Sequence, residues 1–152
     1  MASVQYRSPV GILTITEEDG FITGIQAGAE GGGSRETVLL AEAVRELNEY
    51  FAGTRKTFEL PLAARGTVFQ KRVWDALCRI PYGKTASYRD IAEAVGNPRG
   101  FRAVGNANGK NPLLIVVPCH RVIAADGSLG GYSAGLDIKK FLLEHESKWK
   151  NS

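Results

Sequence analysis

The stretch ASYRDIAEAVGNPRGFRAVGNANG restricts the fold more than any other part of the chain. Ser87, with Asp90 three residues later, forms a capping box, which predicts a helix that begins at Tyr88. Gly96 ends this helix, and the Asn-Pro pair after it makes a turn. A second short helix is predicted over residues 99–107, so the segment predicts a helix-turn-helix.

The second of these helices consists mainly of small residues and carries two arginines. Helices that read the major groove normally present longer polar side chains, which pair with base edges. Small residues instead let a helix approach a sugar–phosphate backbone or a narrow groove closely. The pattern therefore predicts DNA binding that depends little on base sequence, with a generic helical hairpin as the alternative.

The charge of the chain is divided unequally. Residues 1–64 hold five Lys or Arg against nine Asp or Glu, whereas residues 65–152 hold fourteen against seven. A basic segment indicates a polyanion partner, or else a solvated basic surface. We predict a domain boundary here, with an N-terminal domain over residues 1–64 and a C-terminal domain over residues 65–152.

The sequence has no apolar run of the roughly 18 residues that a membrane-spanning helix needs, and its N-terminus lacks the apolar core of a signal peptide. We therefore expect an intracellular protein with no membrane partner, cytoplasmic in a prokaryote or nuclear in a eukaryote. In a reducing compartment Cys78 and Cys119 are expected to be free thiols.

The N-terminal domain is predicted to be of the α/β class. Three short β-branched runs predict a meander of strands over residues 4–6, 11–16 and 21–26. The glycine-rich GAEGGGS predicts a surface loop, after which Ser34 is the expected N-cap of a helix over residues 35–51. A further short strand is expected over residues 58–62.

The C-terminal domain is predicted to be mostly helical. An amphipathic pattern predicts a helix over residues 67–80, with Cys78 as a small buried apolar residue. LLIVV, residues 113–117, has the continuous apolar pattern of a buried strand. The last helix is predicted from Leu136 to residue 145 or beyond. Its predicted apolar side consists of Ile138, Phe141, Leu142 and His145.

Cys119 stands where the apolar run stops, between a proline and His120. A zinc site is disfavoured, because the cysteines and histidines show no CxxC or HxxxH spacing. A redox pair would need a resolving cysteine, and Cys78 lies far away in another helix. The remaining use is a nucleophile, which requires a thiolate and hence a base or a positive environment.

His120 is the candidate base, although neighbouring side chains on an extended strand point to opposite faces. Either the chain turns at Pro118, or a water molecule bridges the thiol and the imidazole. The imidazole would need an orienting acceptor, and the candidates are Glu144 and Glu146 in the last helix.

PCHRV is followed by GGYSAGL and FLLEHE and preceded by ASYRDIA and FRAVGNANGKNP. This order resembles the catalytic domain of the methylated-DNA–protein-cysteine methyltransferases, also called 6-O-methylguanine-DNA methyltransferases, over residues 69–146. The resemblance implies a small ribonuclease-H-like α/β domain, followed by a mostly helical, winged-helix-like domain that contains the helix-turn-helix.

The resemblance also implies a reaction. The protein would move a methyl or other alkyl group from the 6-oxygen of guanine in DNA to its own cysteine, in a single turnover and without a cofactor. Whether 4-O-methylthymine is also accepted stays open. By resemblance Cys119 is the acceptor, and His120, acting through a water, forms the activating relay with Glu146. Tyr88 would lend a proton or a hydrogen bond to the base, and Asn111 would tie the helix-turn-helix to the active-site turn.

The residues expected beside the damaged guanine are Val122, Tyr132 and Ser133. The implied partner of this monomer is double-stranded DNA that carries alkylated guanine, and cooperative binding along DNA stays open. Arg102 matches the arginine that enters the base stack, with a phosphate contact alone as the alternative. Further DNA-contacting residues are expected at Arg99, Ala103 and Gly105.

Some members of this family bind zinc in the N-terminal domain through Cys and His, but residues 1–64 contain neither, so we expect no metal. Related non-enzymatic proteins carry tryptophan in place of the cysteine, whereas this chain has Cys119. Two other classes stay open. One is a module that binds alkylated DNA without transferring the group. The other is a thiol hydrolase or redox enzyme, which would explain PCHR but not Tyr88 or Arg102.

Overall fold

The computed structural model describes residues 1–29 and 33–152, and this part of the chain forms two compact units. Unit 1 comprises residues 1–65, 112–116 and 152, and unit 2 comprises residues 66–111 and 117–151. The chain therefore leaves unit 2 after Asn111, returns to unit 1 for one short segment, and enters unit 2 again before the cysteine.

Unit 1 is built on an antiparallel meander of the strands β1 (Ala2–Ser8), β2 (Gly11–Glu18) and β3 (Phe21–Ala27), in that order. A two-residue turn joins β2 to β3, and Asp19 and Gly20 both take positive φ there, as a tight hairpin requires. The predicted three-strand meander is confirmed.

The helix α1 (Val38–Phe51) belongs to the same unit. Its buried residues include Leu40, Leu47 and Tyr50, and β2 and β3 bury Leu13, Ile15, Ile22 and Ile25. The predicted N-cap at Ser34 is wrong. Thr37 caps the helix by accepting from the Leu40 N–H, while the Ser34 hydroxyl accepts from the Ser3 N–H. Residues 30–32 of the predicted glycine-rich loop lie outside the described residues.

Two predicted strands are not formed, and proline explains both. Residues 58–62 make only one parallel bridge, between Leu62 and Ile22, because Pro61 has no N–H to continue a ladder. Residues 113–117 are largely buried as predicted, but they form a bridge at Leu113 and then a turn between two prolines. Ile115 takes a φ of 72° in this turn, a left-handed conformation that a β-branched residue rarely adopts.

Unit 2 contains four helices and two very short strands within the described residues. In chain order these are α2 (Val68–Leu77), β4 (Ala86–Ser87), α3 (Tyr88–Ala94), α4 (Phe101–Gly109), β5 (Val122–Ile123) and α5 (Leu136–Trp149). β4 and β5 pair in parallel. The predicted combination of an N-terminal sheet domain with a mostly helical C-terminal domain is confirmed.

The helix-turn-helix is formed by α3 and α4. Ser87 and Asp90 make the predicted capping box, and Gly96 has a φ of 76° at the end of α3. α4 begins two residues later than predicted, because the turn continues until the Gly100 N–H donates to the Asn97 carbonyl. The buried residues of α4 are Val104, Ala107 and Asn108.

The last helix buries only part of the predicted apolar side, since Leu142 is fully buried as predicted but Phe141 is not. Lys139, Leu142 and Glu146 are its buried residues, whereas Phe141 is 38% exposed and stacks on His145. The prediction was wrong because two of the three buried positions carry charged side chains, which a hydrophobic pattern assigns to the surface. Cys78 was also wrongly predicted to be buried: it is exposed, at the C-terminal end of α2.

Trp74 of α2 holds the second helix of the helix-turn-helix in place. Its indole Nε1–H donates to the Ala107 carbonyl of α4 at 2.9 Å, and the side chain is buried. We expect Trp74→Phe to lower the free energy of unfolding by about 1 kcal/mol, because the donor and part of the buried ring are lost. Trp149→Phe is the control, since Trp149 is only half-buried. Equal losses in urea unfolding of the two variants would contradict the role given to Trp74.

Candidate active site

Cys119 lies in a single 3-10 turn, Cys119–Arg121, that follows Pro118. The Cys119 N–H donates to the Val117 carbonyl at 2.8 Å, and the residue is only 1% exposed. The chain therefore turns at the junction after Pro118, and this turn leaves the proposal of a bridging water between thiol and imidazole open. The turn places three consecutive side chains, Cys119, His120 and Arg121, in the buried interior of unit 2.

His120 pairs with Glu146 of α5. Its Nε2 lies 2.7 Å from Glu146 Oε2, and both side chains are fully or almost fully buried. Because an ionised carboxylate can only accept hydrogen bonds, Nε2 carries the hydrogen. The lone pair is then on Nδ1, which has no hydrogen-bond partner among the described residues. The imidazole is thus set up to accept a proton at Nδ1. The other candidate, Glu144, is exposed.

Arg121 is the second partner of Glu146, and the sequence analysis missed it. Its Nε donates to Oε1 at 2.7 Å and its Nη2 to Oε2 at 3.0 Å, while Nη1 donates to the Ile80 carbonyl at 2.7 Å. This two-pronged contact is the geometry in which arginine binds a carboxylate most specifically. The available signal was a long basic side chain directly after His120 in PCHRV.

The protonation states follow from these contacts. Burial would raise the pKa of Glu146, but the hydrogen bonds and charge supplied by His120 and Arg121 outweigh it and hold that pKa well below its usual range. Burial lowers the pKa of His120, and Glu146 only partly opposes this effect. At neutral pH the site therefore holds an ionised carboxylate, a neutral imidazole and a guanidinium.

The thiol of Cys119 is subject to opposing influences. Burial raises its pKa above the ordinary value. The neighbouring polar side chains of Asn111 and Tyr132 and the positive charge of Lys139 lower this pKa and so act in the opposite direction. The sulfur therefore lies among groups that favour the thiolate, in surroundings that oppose free ionisation.

Lys139 is the second functional residue that the sequence analysis missed. Its side chain is buried, and Nζ donates to the carbonyls of Val122 at 2.6 Å, Gly131 at 3.1 Å and Leu129. These contacts connect β5 to the second glycine-rich loop, residues 126–135, and keep a positive charge near the sulfur. Burial lowers the pKa of Lys139, which the Cys119 thiolate partly counteracts.

Two asparagines connect the end of α4 to the active-site turn. Asn111 Nδ2 donates to the Val117 carbonyl at 2.8 Å, and Asn108 Nδ2 donates to the Cys119 carbonyl at 3.4 Å. The structure therefore brings Asn111 to the turn at which the resemblance placed it, and adds Asn108, which it did not name.

Two tyrosines lie near the sulfur. Burial and the neighbouring Cys119 raise the pKa of Tyr132 well above its usual range. Burial also raises the pKa of Tyr88, which the Gly131 N–H partly opposes. Both phenols therefore remain protonated at neutral pH. Ser133 is exposed, whereas Val122 is buried and uses its backbone N–H to bond the Cys119 carbonyl.

The residues expected to contact DNA lie mostly on the surface. Arg102 and Ala103 are exposed on α4, and Arg99 is exposed in the turn that precedes it. Gly105 is half-buried, and a Cβ added there would meet no atom within 4 Å. Protein packing therefore leaves open space at Gly105.

Neither of two further features is found in the described part of the chain. No group of three or more His, Cys, Asp or Glu side chains among these residues could hold a metal ion. None of the helices there is long and apolar enough to cross a membrane.

The fold and the site together define a protein with a helix-turn-helix and a buried thiol, Cys119, that precedes a histidine oriented by a carboxylate. The family described as 6-O-methylguanine DNA methyltransferase, ribonuclease-like domain, matches residues 3–64. The DNA binding domain of the same methyltransferase family matches residues 68–148. The chain belongs to the 6-O-methylguanine DNA methyltransferase family.

Individual relatives agree. The chain is 50% identical over 151 residues to the constitutive methylated-DNA–protein-cysteine methyltransferase of Bacillus subtilis, covering 92% of each protein. It is 58% identical over 105 residues to the Methanosarcina barkeri enzyme of that name, covering 69% of this chain and 66% of the relative. The crystal structure of Mycobacterium tuberculosis OGT in complex with DNA matches with a TM-score of 0.90 and 43% identity, covering 97% of this chain and 93% of that one.

The states assigned to His120 and Glu146 predict a loss of stability in acid. The folded pKa of His120 lies below the ordinary 6.5, so stability begins to fall as pH drops below 6.5, where only the unfolded imidazole gains a proton. The folded pKa of Glu146 lies below 4.5, so its contribution is present above 4.5 and is lost as pH falls through the folded value.

The measurement is the free energy of unfolding in urea from about pH 7.5 to about pH 5, where the His120 contribution falls by at most about 1.4 kcal/mol per pH unit. His145→Asn should keep this dependence and leaves one imidazole, whose Nε2–H tautomer can be checked by NMR. A protonated His120 in the folded protein at pH 6 would contradict the assignment.

Gly130 sits too close to Tyr88 to carry a side chain. A Cβ there would lie 2.9 Å from the Tyr88 hydroxyl oxygen, and the backbone φ is +71°. We expect Gly130→Ala to lower the free energy of unfolding by about 2 kcal/mol, through backbone strain and displacement of the tyrosine. Gly131→Ala is the matched control, because its Cβ would meet nothing within 4 Å. Equal thermal stability of the two variants would contradict the close approach.

Proposed function

We propose that this protein repairs DNA by taking the alkyl group of a 6-O-alkylguanine onto Cys119, and that each molecule reacts once. The observation that carries the proposal is the buried thiol next to an imidazole whose basic nitrogen is fixed by Glu146 and Arg121. The family to which the chain belongs supplies the reaction class.

The first step is loss of the thiol proton. A water molecule bridges the Cys119 sulfur and Nδ1 of His120, and it passes the proton to the imidazole. Glu146 stabilises the resulting imidazolium through the hydrogen bond at Nε2. Lys139, Asn111 and Tyr132 favour the thiolate, as their effects on the Cys119 pKa indicate.

The second step is the transfer itself. The thiolate attacks the saturated carbon on the 6-oxygen, a sulfur–carbon bond forms, the carbon–oxygen bond breaks, and the electron pair moves to the guanine. Tyr88, which is protonated at neutral pH, supplies a hydrogen bond or a proton to the departing base. The product is a thioether, and no group in the site removes it, so the protein is consumed. The lesion is the alkyl donor, and the reaction requires no cofactor.

A stacked guanine cannot reach a buried sulfur, so the nucleotide has to rotate out of the duplex. Arg102, exposed on α4, fills the vacated position, and Arg99 contacts phosphate. Ala103 and Gly105 let the helix approach the groove closely. Tyr132, Ser133 and the backbone at Val122 form the walls around the rotated base, while Asn111 keeps the active-site turn attached to α4.

In this proposal residues 65–152 hold both the DNA-binding surface and the acceptor thiol, and residues 1–64 form the N-terminal domain, which residues 112–116 join in the fold. The protein acts as a monomer inside the cell, where genomic DNA is.

The experiment is an intact-mass measurement after incubation with a duplex that contains one 6-O-methylguanine. We expect the mass to rise by one methyl group and to stop at one equivalent, with no rise in Cys119→Ser. Cys78→Ser is the matched control, because the exposed second thiol should be dispensable. An unchanged mass with preferential binding of the damaged duplex would instead identify a lesion-binding module. Turnover beyond one equivalent would identify a thiol hydrolase or redox enzyme.

A further inference from the structure

α4 presents one large apolar side chain that neither the fold nor the proposed chemistry uses. Phe101, its first residue, is 44% exposed. It is the one exposed large hydrophobic residue of the described helix-turn-helix, and its exposed neighbours on α4 are Arg102 and Ala103. An aromatic ring of this size gains most of its stabilising effect when it is covered.

The ring has a defined direction. The guanidinium carbon of Arg89 lies 5.9 Å from the centroid of the Phe101 ring, within cation–π range. Arg89 follows Tyr88 at the start of α3, and Phe101 precedes Arg102 at the start of α4. The aromatic ring therefore lies within reach of the Arg89 side chain from the start of α3, one residue before the exposed Arg102 on α4.

The charge around the ring indicates what covers it. Arg89, Arg99 and Arg102 are exposed, and the ion pairs between described residues do not include them. An exposed aromatic ring that contacts Arg89 and lies within two residues of Arg99 and Arg102 in the sequence is unsuited to an apolar protein partner. It matches a nucleic acid, whose phosphates pair with arginine and whose bases stack on rings.

We propose that Phe101 is a second DNA-inserting residue. Its ring stacks against the base pair that adjoins the position vacated by the rotated nucleotide, and Arg89 orients the ring while it contacts phosphate. Apolar wedges of this kind stabilise locally unstacked duplexes in proteins that bind the minor groove. The inference rests on the proposed function for its substrate, but the wedge itself can be measured without transfer.

The experiment compares wild type, Phe101→Ala and Phe101→Trp on two substrates: a duplex with one 6-O-methylguanine and the free base 6-O-benzylguanine. We expect Phe101→Ala to react about ten-fold more slowly with the duplex and at an unchanged rate with the free base, because one stacking contact is lost. Phe101→Trp should stay near the wild-type rate. Phe21→Ala is the matched control, since Phe21 is 45% exposed on β3 in unit 1.

Three outcomes would overturn the proposed insertion of Phe101 into DNA. These are an unchanged duplex rate in Phe101→Ala, equal slowing with the free base, or equal slowing of the alanine and tryptophan variants. If the wild-type protein transfers no methyl group, the proposed function fails, and affinity for the damaged duplex becomes the readout. Phe101→Ala should then bind about ten-fold more weakly than wild type, and equal affinity would overturn the inference.

Discussion

One carboxylate, that of Glu146, holds the active-site turn in its working geometry. It accepts hydrogen bonds from His120 and Arg121, and its Oε1 also accepts from the Gly83 N–H at 3.3 Å. Arg121 Nη1 donates to the Ile80 carbonyl, so the hydrogen-bond network extends to the segment that follows α2. A buried ion pair often adds little to stability, because the cost of desolvation offsets the attraction. Here the arrangement fixes which imidazole nitrogen is free to accept a proton, as the proposed role of His120 as a base requires.

α5 contributes a second buried charge on the same face. Lys139 lies two turns before Glu146, and its ammonium group binds backbone carbonyls of β5 and the glycine-rich loop rather than a carboxylate. One helix thus orients the histidine at one end of the site and the pocket loop at the other. The close approach of Gly130 to the Tyr88 side chain links the same loop to α3, so direct contacts connect α5, the loop of residues 126–135 and α3.

The sequence predicted those parts of the fold that depend on local signals. The capping box at Ser87, the glycine stop at Gly96 and the alternating strands each act over a few residues, and the structure contains all of them. Residues 113–117 were misread because burial and strand conformation are separate properties, and the flanking prolines withhold the N–H groups that a ladder needs. Arg121 and Lys139 were missed because a charged side chain is normally a surface residue, and only the folded partners show that its charge is compensated. The motif placed Cys119, His120 and Glu146 in order along the chain, but their contact depends on a turn that no periodicity reveals.

Residues 112–116 pack in unit 1 although they lie within the C-terminal half of the sequence, so the two halves are not independent modules. The two family domains match consecutive parts of the chain, yet Leu113, Leu114 and Ile115 are buried in unit 1. The segment bonds to β3 at Ile25, whose N–H donates to the Pro112 carbonyl at 2.9 Å and whose carbonyl accepts from the Leu114 N–H at 3.1 Å. These aliphatic residues lie in the sequence between α4 and Cys119, so the second half transferred alone would carry an uncovered apolar loop just before that cysteine. A protein that acquired only the second half by recombination would need another strand to cover residues 112–116 in place of β3. The two halves are therefore expected to be inherited together.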